Sequence, residues 1–296
     1  MGGPVSLHFS SPPRIIPAYA RILLARKPAV LDGAMPRIEA TLARFAIDPR
    51  HVARYRKVCG DRGSDALPIT YPHILATPVH LAMIASKAFP ISLLGVVHTR
   101  NRIVQHRPLH AHDTGSIRAW IEGFRDSSRG QELDLQTELA VGSELIWCET
   151  STFLVRHRER RRPAARSGDG PLPAVEVPPR EIVATSTFVV NPHVGREYAR
   201  ISGDFNPIHI ADLGARFFGL KRAIVHGMWS LARCTAEIDP ATFFQPCTLD
   251  VAFRRPIAFR TAMVLESWMS DGRVGFSLRE AQTDRGHLLG SVVRAG

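Results

Sequence analysis

"YARISGDFNPIHI", residues 198–210, has an earlier partner in the chain: "YRKVCGD", residues 55–61, repeats its opening as Tyr-x-x-aliphatic-small-Gly-Asp. The two copies stand close to half a chain length apart, and further echoes keep the same order. "IVHGMWSLAR" (224–233) is answered by "TPVHLAMIAS" (77–86), and "FRRPI" (253–257) by "QHRPL" (105–109). Matches that recur in one order mark an internal duplication. In each half the motif leads to one apolar helix, expected over roughly 77–88 and 226–238. β-rich segments follow, at 116–124, 132–141 and 145–155, and again at 261–269, 273–280 and 287–294. In "RVGFSLRE" (273–280), Val274, Phe276 and Leu278 alternate onto one face, as a half-buried strand requires. One helix followed by antiparallel strands predicts an α+β unit, a curved sheet wrapped around a helix. Two such units would pack as an internal pseudo-dimer.

Between the halves runs "RHRERRRPAARSGDGPLPAVEVPPR", residues 156–180. Its arginines cannot be buried unpaired, and its prolines cannot continue a helix or a central strand. It reads as a solvated linker. The expected organisation is an N-terminal unit with a leading arm (1–155), this linker (156–180) and a C-terminal unit (181–296).

With 296 residues and 45% hydrophobic content, the chain can build proper cores, which excludes wholesale disorder. No apolar run reaches the roughly 18 residues of a membrane-spanning helix. The formal net charge of +11 favours anionic partners. Nucleic acid is not among those expected, because the chain has neither zinc-finger spacing nor an aromatic-basic RNP pattern. Cys59, Cys148, Cys234 and Cys247 are scattered without metal-ligand spacing, and read as buried thiols in a reducing compartment. Neither a metal nor a cofactor is expected. Residues 1–31 hold Arg14, Arg21, Arg26 and Lys27 and no acid, behind an opening "MGGPVS". They are read as the leading arm of a cytoplasmic protein rather than as a targeting or acylation signal.

Within 198–210, Pro207 fixes its own φ and pushes Asn206 away from the helical region. A Gly203-Asp204 step before that rigid turn can bring Asp204 and His209 to one spot. A carboxylate beside an imidazole exchanges protons near neutral pH. On these residues alone, an Asx-type turn with a merely hydrogen-bonded His209 is the competing reading.

"SGDFNPIH" (202–209), followed by "AIVHGM" (223–228), resembles the signature of the MaoC-like, (R)-specific enoyl-thioester hydratases and 3-hydroxyacyl-thioester dehydratases, the hydratase 2 family. The likeness extends over 180–296. The first half, with "LPITYPHIL" (67–75) and "GVVHTRNRIVQHRPL" (95–109), resembles the non-catalytic N-terminal hotdog of single-chain, double-hotdog members such as the mycobacterial dehydratases. The resemblance implies a hotdog fold in each half. It also implies a hydro-lyase of fatty acid metabolism that hydrates trans-2-enoyl thioesters or dehydrates (3R)-hydroxyacyl thioesters without a cofactor. Asp204 and His209 would hold one water, and the Gly227 N–H would stabilise the thioester oxyanion. Ser202 and Asn206 would shape the turn, Tyr198 would pack beneath it, and His226 would be a structural hydrogen-bonder. Asp61 lacks a histidine partner and Leu81 falls where the glycine should be, so one active site per chain is expected.

The acyl carrier would be coenzyme A or an acidic acyl carrier protein, with Arg254, Arg255, Arg100, Arg102 and Arg107 as candidate contacts. The protein would act as a monomeric double hotdog or as a homodimer. A hotdog thioesterase and a non-catalytic acyl-thioester binding module are the alternatives.

Overall fold

The structure is a computed structural model and describes residues 4–25, 27–28, 35–92, 96–121, 123–127, 130–156 and 182–295. The first half of the chain folds as β1 (Val5–Phe9), α1 (Ile15–Leu24), β2 (Ile38–Phe45), α2 (Pro49–Cys59), α3 (Tyr71–Ala85), β3 (Val96–Gln105), β4 (Gly115–Ile121), β5 (Arg125–Ser127), β6 (Gly130–Val141) and β7 (Glu144–Arg156). The second half supplies β8 (Ala184–Val189), α4 (Val194–Ser202), α5 (Asp212–Phe217), α6 (Gly227–Thr235), β9 (Cys247–Phe253), β10 (Ala262–Ser270), β11 (Arg273–Glu280) and β12 (Gly286–Arg294). Of the expected linker 156–180, all but Arg156 lies outside the described residues.

The chain forms two units that do not follow chain order. One takes its described residues from 1–46, 75–101 and 114–174, the other from 47–74, 102–113 and 175–296. In the first, the strands run β1-β2-β4-β6-β7-β3, with β5 on β6. β1 and β2 are parallel, while β2–β4, β4–β6 and β6–β7 are antiparallel. Ile38, Ala40 and Leu42 of β2, Ile117, Ala119 and Ile121 of β4, and Leu135 and Leu139 of β6 are all buried, as are Val79, Leu81 and Met83 of α3. Each of the isoleucine, leucine, valine and methionine side chains contributes about 1.5–3 kcal/mol on burial. His80 of α3 reaches Thr137 of β6 at 2.8 Å, and α1 packs Ala18, Tyr19 and Ile22 against Leu81.

In the second unit the order is β9-β12-β11-β10-β8, antiparallel throughout. The β10–β11 hairpin turns on Asp271-Gly272, both at positive φ (45° and 74°), the two-residue turn whose twist matches that of its strands. As expected from the alternation, Phe276 and Leu278 are fully buried. α6 buries Leu231, Ala232 and Cys234, and its Trp229 meets Phe188 of β8 edge-on at 6.3 Å. α2 belongs to this unit: Trp229 Nε1 donates to the Val58 carbonyl at 2.9 Å, and Tyr55 lies 6.3 Å from Tyr198 of α4.

Two segments differ from expectation. α3 begins at Tyr71 rather than near 77 and carries Pro78 inside it. Pro78 disfavours helix at the residue before it, and burial of Tyr71, Ile74, Ala76 and Val79 outweighs that preference. The basic stretch after residue 95 is strand β3, with Asn101, Ile103 and Gln105 buried on alternate positions.

Candidate active site

α4 ends at Gly203, which takes the left-handed conformation (φ 76°) and donates to the Ala199 carbonyl at 2.8 Å. From there the chain is held by a ladder of side-chain oxygens, each accepting the N–H two residues on. Ser202 Oγ accepts from Asp204 (3.1 Å), Asp204 Oδ1 from Asn206 (3.1 Å), and Asn206 Oδ1 from Ile208 (3.3 Å). Asn206 thereby caps a 3-10 turn, Pro207–His209, with Pro207 at its first position. Gly195 lets this turn lie against α4: a Cβ there would stand 2.1 Å from the His209 carbonyl oxygen. The Asx turns of the competing reading are therefore present, and they serve to aim two side chains.

Those side chains converge. One ligand atom from each of Asp204, His209 and His226 lies within 4.8 Å of the others. His209 is buried and its Nδ1 donates to the Ile224 carbonyl at 2.9 Å. A carbonyl only accepts, so the proton sits on Nδ1 and Nε2 carries the free lone pair. Burial holds the His209 pKa below the usual histidine value, against the opposing pull of Asp204 and the Ile224 carbonyl. The Asp204 side chain is 39% exposed, so solvent reaches it.

His226 closes the third side. Its Nε2 donates to the Asp204 main-chain carbonyl at 2.9 Å and stands 3.9 Å from Asp204 Oδ2. Its ring stacks on His209 at 3.9 Å between centroids and tilts against Tyr198 at 4.9 Å. Burial, and then the neighbouring His209, push its pKa down to about 3, so it is neutral at working pH. Nδ1 of His226 is buried with no hydrogen-bond partner among the described residues. A metal at this cluster would have to compete with the Asp204 carbonyl for His226 Nε2. Immediately after His226, Gly227 opens α6, so its N–H is one the helix does not use. Gly227 is half-buried, and a Cβ on it would touch the Phe253 ring at 3.5 Å, an ordinary contact.

The expected site residues Tyr198, Ser202, Asp204, Asn206, His209, His226 and Gly227 thus come together, and the Ile224 carbonyl joins them unforeseen. The arginines do not come with them as a group. Arg100 pairs with Glu132 (2.7 Å), Arg102 with Asp250 (3.4 Å) and Arg107 with Asp113 (3.0 Å). Each answers a carboxylate of the protein itself. Arg254 and Arg255 are exposed just beyond Phe253, although Arg255 also donates to the Gly286 carbonyl at 2.8 Å.

The first-half copy keeps the frame and loses the chemistry. α2 ends at Gly60 in the same left-handed conformation (φ 73°), and Asp61 Oδ1 accepts from Gly63 N–H at 2.9 Å. Asp61 then turns to Arg56 at 3.5 Å. The expected equivalence of Leu81 with Gly227 fails: Leu81 lies inside α3, whose first residue is Tyr71. The shared Val-His pair sits in mid-helix in one half and at the helix start in the other. A cavity of about 220 Å³ does adjoin Asp61, but Thr235, Ala236 and Glu237 line it. These close α6, at the negative end of the helix dipole, where an oxyanion would be repelled.

The chain resembles known proteins over most of its length. Residues 175–288 match the MaoC like domain. The chain is 32% identical over 258 residues to 3-hydroxyacyl-thioester dehydratase X of Mycobacterium tuberculosis, covering 87% of this chain and 90% of that one. It is 23% identical over 290 residues to the peroxisomal enoyl-CoA hydratase 2 of Arabidopsis thaliana, covering 84% and 90%. The crystal structure of HtdX of Mycobacterium tuberculosis superposes with a TM-score of 0.74 at 29% identity, over 87% of this chain and all (100%) of that one. The fold class is α+β, as expected from the duplicated pattern, and the double hotdog that the resemblance implies.

Proposed function

The chain belongs to the family of MaoC-like dehydratases, and from that premise we propose that it is a hydro-lyase that reversibly hydrates trans-2-enoyl thioesters to (3R)-hydroxyacyl thioesters in fatty acid metabolism. The convergence of Asp204 and His209 beside the first residue of α6 carries this proposal. His209 Nε2 and the Asp204 carboxylate, which solvent reaches, are two acceptors for one water. As the water oxygen bonds to C3, its proton passes to this pair and a proton returns to C2. H and OH therefore add on one face, and dehydration retraces the path. Negative charge that builds on the thioester oxygen meets the Gly227 N–H and the positive end of α6. Ser202 and Asn206 hold the Asp204 loop, Tyr198 supports His226, and His226 fixes the Asp204 carbonyl and braces the His209 ring.

One site per chain follows from the first-half turn, where Asp61 has an arginine instead of an imidazole. Arg254 and Arg255 remain candidates for the phosphates of coenzyme A or for an acidic acyl carrier protein. All four cysteines are free thiols, which supports a reducing, cytoplasmic setting; among the described residues no helix is long and apolar enough to cross a membrane.

Product analysis with crotonyl-CoA tests the reaction: 3-hydroxybutyryl-CoA is expected, whereas free thiol would identify a thioesterase. Asp204→Asn and His209→Ala should each lower kcat by about 10²–10⁴-fold, the usual worth of a positioned acid–base group. Full activity in both variants would rule the mechanism out, and an inactive wild type would favour a binding module.

A further inference from the structure

Beside the catalytic turn, a short helix leaves large apolar side chains in water. Leu213 and Phe217 of α5 are 81% and 83% exposed, and Phe205, next to Asp204, is 44% exposed. Leu213 and Phe217 stand four residues apart on a helix and so share one face. In the same stretches of chain Arg196, Arg216, Lys221 and Arg222 are exposed, outnumbering the exposed acids Glu197 and Asp212. α5 is fixed to the site: a Cβ on Gly214 would stand 2.5 Å from the Pro207 carbonyl oxygen, and Asp212 Oδ1 accepts from Ala223 N–H at 2.8 Å. The patch therefore holds a constant position relative to Asp204 and His209.

We propose that this face is a docking surface for an acidic protein that carries the acyl thioester on a flexible arm. A small apolar centre within a cationic rim is the anatomy of a transient protein interface, and the rim sets the sign of the partner. The site's own chemistry narrows it further, because whatever binds here must deliver a thioester between Asp204 and Gly227. A bilayer delivers none, and one short helix offers far less apolar face than helices that lie in a membrane interface. This inference rests on the hydration reading and adds to it the partner and the place where it binds.

The test compares one 2-enoyl group presented on coenzyme A and on an acidic acyl carrier protein, in the wild type, in Leu213→Ser/Phe217→Ser and in Arg216→Glu/Lys221→Glu. For the carrier-linked substrate, kcat/KM should fall about tenfold or more in both variants, while the coenzyme A rate stays within about twofold. Equal losses on both substrates, or no loss on either, would overturn the proposal. So would variant-sensitive binding to anionic phosphatidylserine vesicles, or a variant-induced change in oligomeric state, with the carrier-linked rate unchanged. If the wild type hydrates neither substrate, the hydration reading fails by itself. Calorimetric titration of unloaded carrier protein against the same three chains then decides the surface, with affinity lost in both variants if it is correct and retained if it is not.

Discussion

The imidazole rings of His209 and His226 stack 3.9 Å apart at an interplanar angle of 29°, both buried, with their hydrogen-bonded nitrogens turned to different carbonyls. Two charged rings could not remain so close in that environment; burial lowers the pKa of both, and for His226 the neighbouring His209 adds to it. A neutral His209 is the form that can accept a proton. The acid limb of kcat/KM should therefore lie below the ordinary histidine range of about 6.5. Its apparent value will belong to the Asp204–His209 couple rather than to either residue. A pH–rate profile with crotonyl-CoA checks this, and a midpoint above the ordinary range would contradict it.

His226 also ties stability to pH. Unfolded, it takes up a proton near pH 6.5; folded, only near about 3. Below pH 6.5 the unfolded chain binds more protons, so the stability present above that value is lost as pH falls toward 3. His226→Phe keeps a stacked ring and removes the titration. Its melting temperature should fall less steeply than that of the wild type between pH 6 and pH 4, measured by thermal scans across that window. The same variant leaves the Asp204 carbonyl without its donor, and kcat should drop about tenfold, the effect of roughly 1.4 kcal/mol at the transition state.

The oxyanion donor can be deleted without rebuilding the helix. Proline is tolerated at a first helical position, and His226 already has the extended conformation (φ −66°, ψ 139°) that must precede one. Gly227→Pro should fold, and it should lose about 10²–10³ in kcat through removal of one N–H. Gly227→Ala, which keeps the N–H and places its methyl at ordinary contact with Phe253, is the control. Circular dichroism and turnover together separate the two effects.

Gly195 lies away from the reacting atoms, yet a methyl there would collide with the His209 carbonyl oxygen at 2.1 Å and with the Phe259 ring at 2.6 Å. Gly195→Ala should push the catalytic turn off α4, costing about 1–3 kcal/mol of stability as overpacking does. Activity should fall further than the unfolded fraction accounts for. Chemical denaturation alongside turnover at a temperature where the variant is folded measures both.

What was legible in the sequence was local. The left-handed glycine, the Asn-Pro turn and the Asp–His spacing are decided within a few residues, and the period-two strands announce their own buried faces. What was not legible depended on distant segments. The Ile224 carbonyl that sets the His209 tautomer, and the stacking of His226 on that ring, arise only once α6 is brought against the turn. The carboxylate partners of Arg100 and Arg102, Glu132 of β6 and Asp250 of β9, stand on strands distant in the chain, while that of Arg107, Asp113, lies in the loop just after it. α3 begins before the apolar stretch at 77–88 because Tyr71 and Ile74 are also buried, which their local sequence does not announce.

The placement of α2 beside α4 and α6 has a genetic corollary. Trp229 depends on the Val58 carbonyl, His51 donates to the Ile201 carbonyl at 3.0 Å, and Tyr55 lines the floor beneath Tyr198. A gene cut between the duplicated halves would yield a downstream fragment that carries every catalytic group and lacks the scaffold that steadies them. After duplication, the upstream copy could shed its own chemistry, but it could not be discarded.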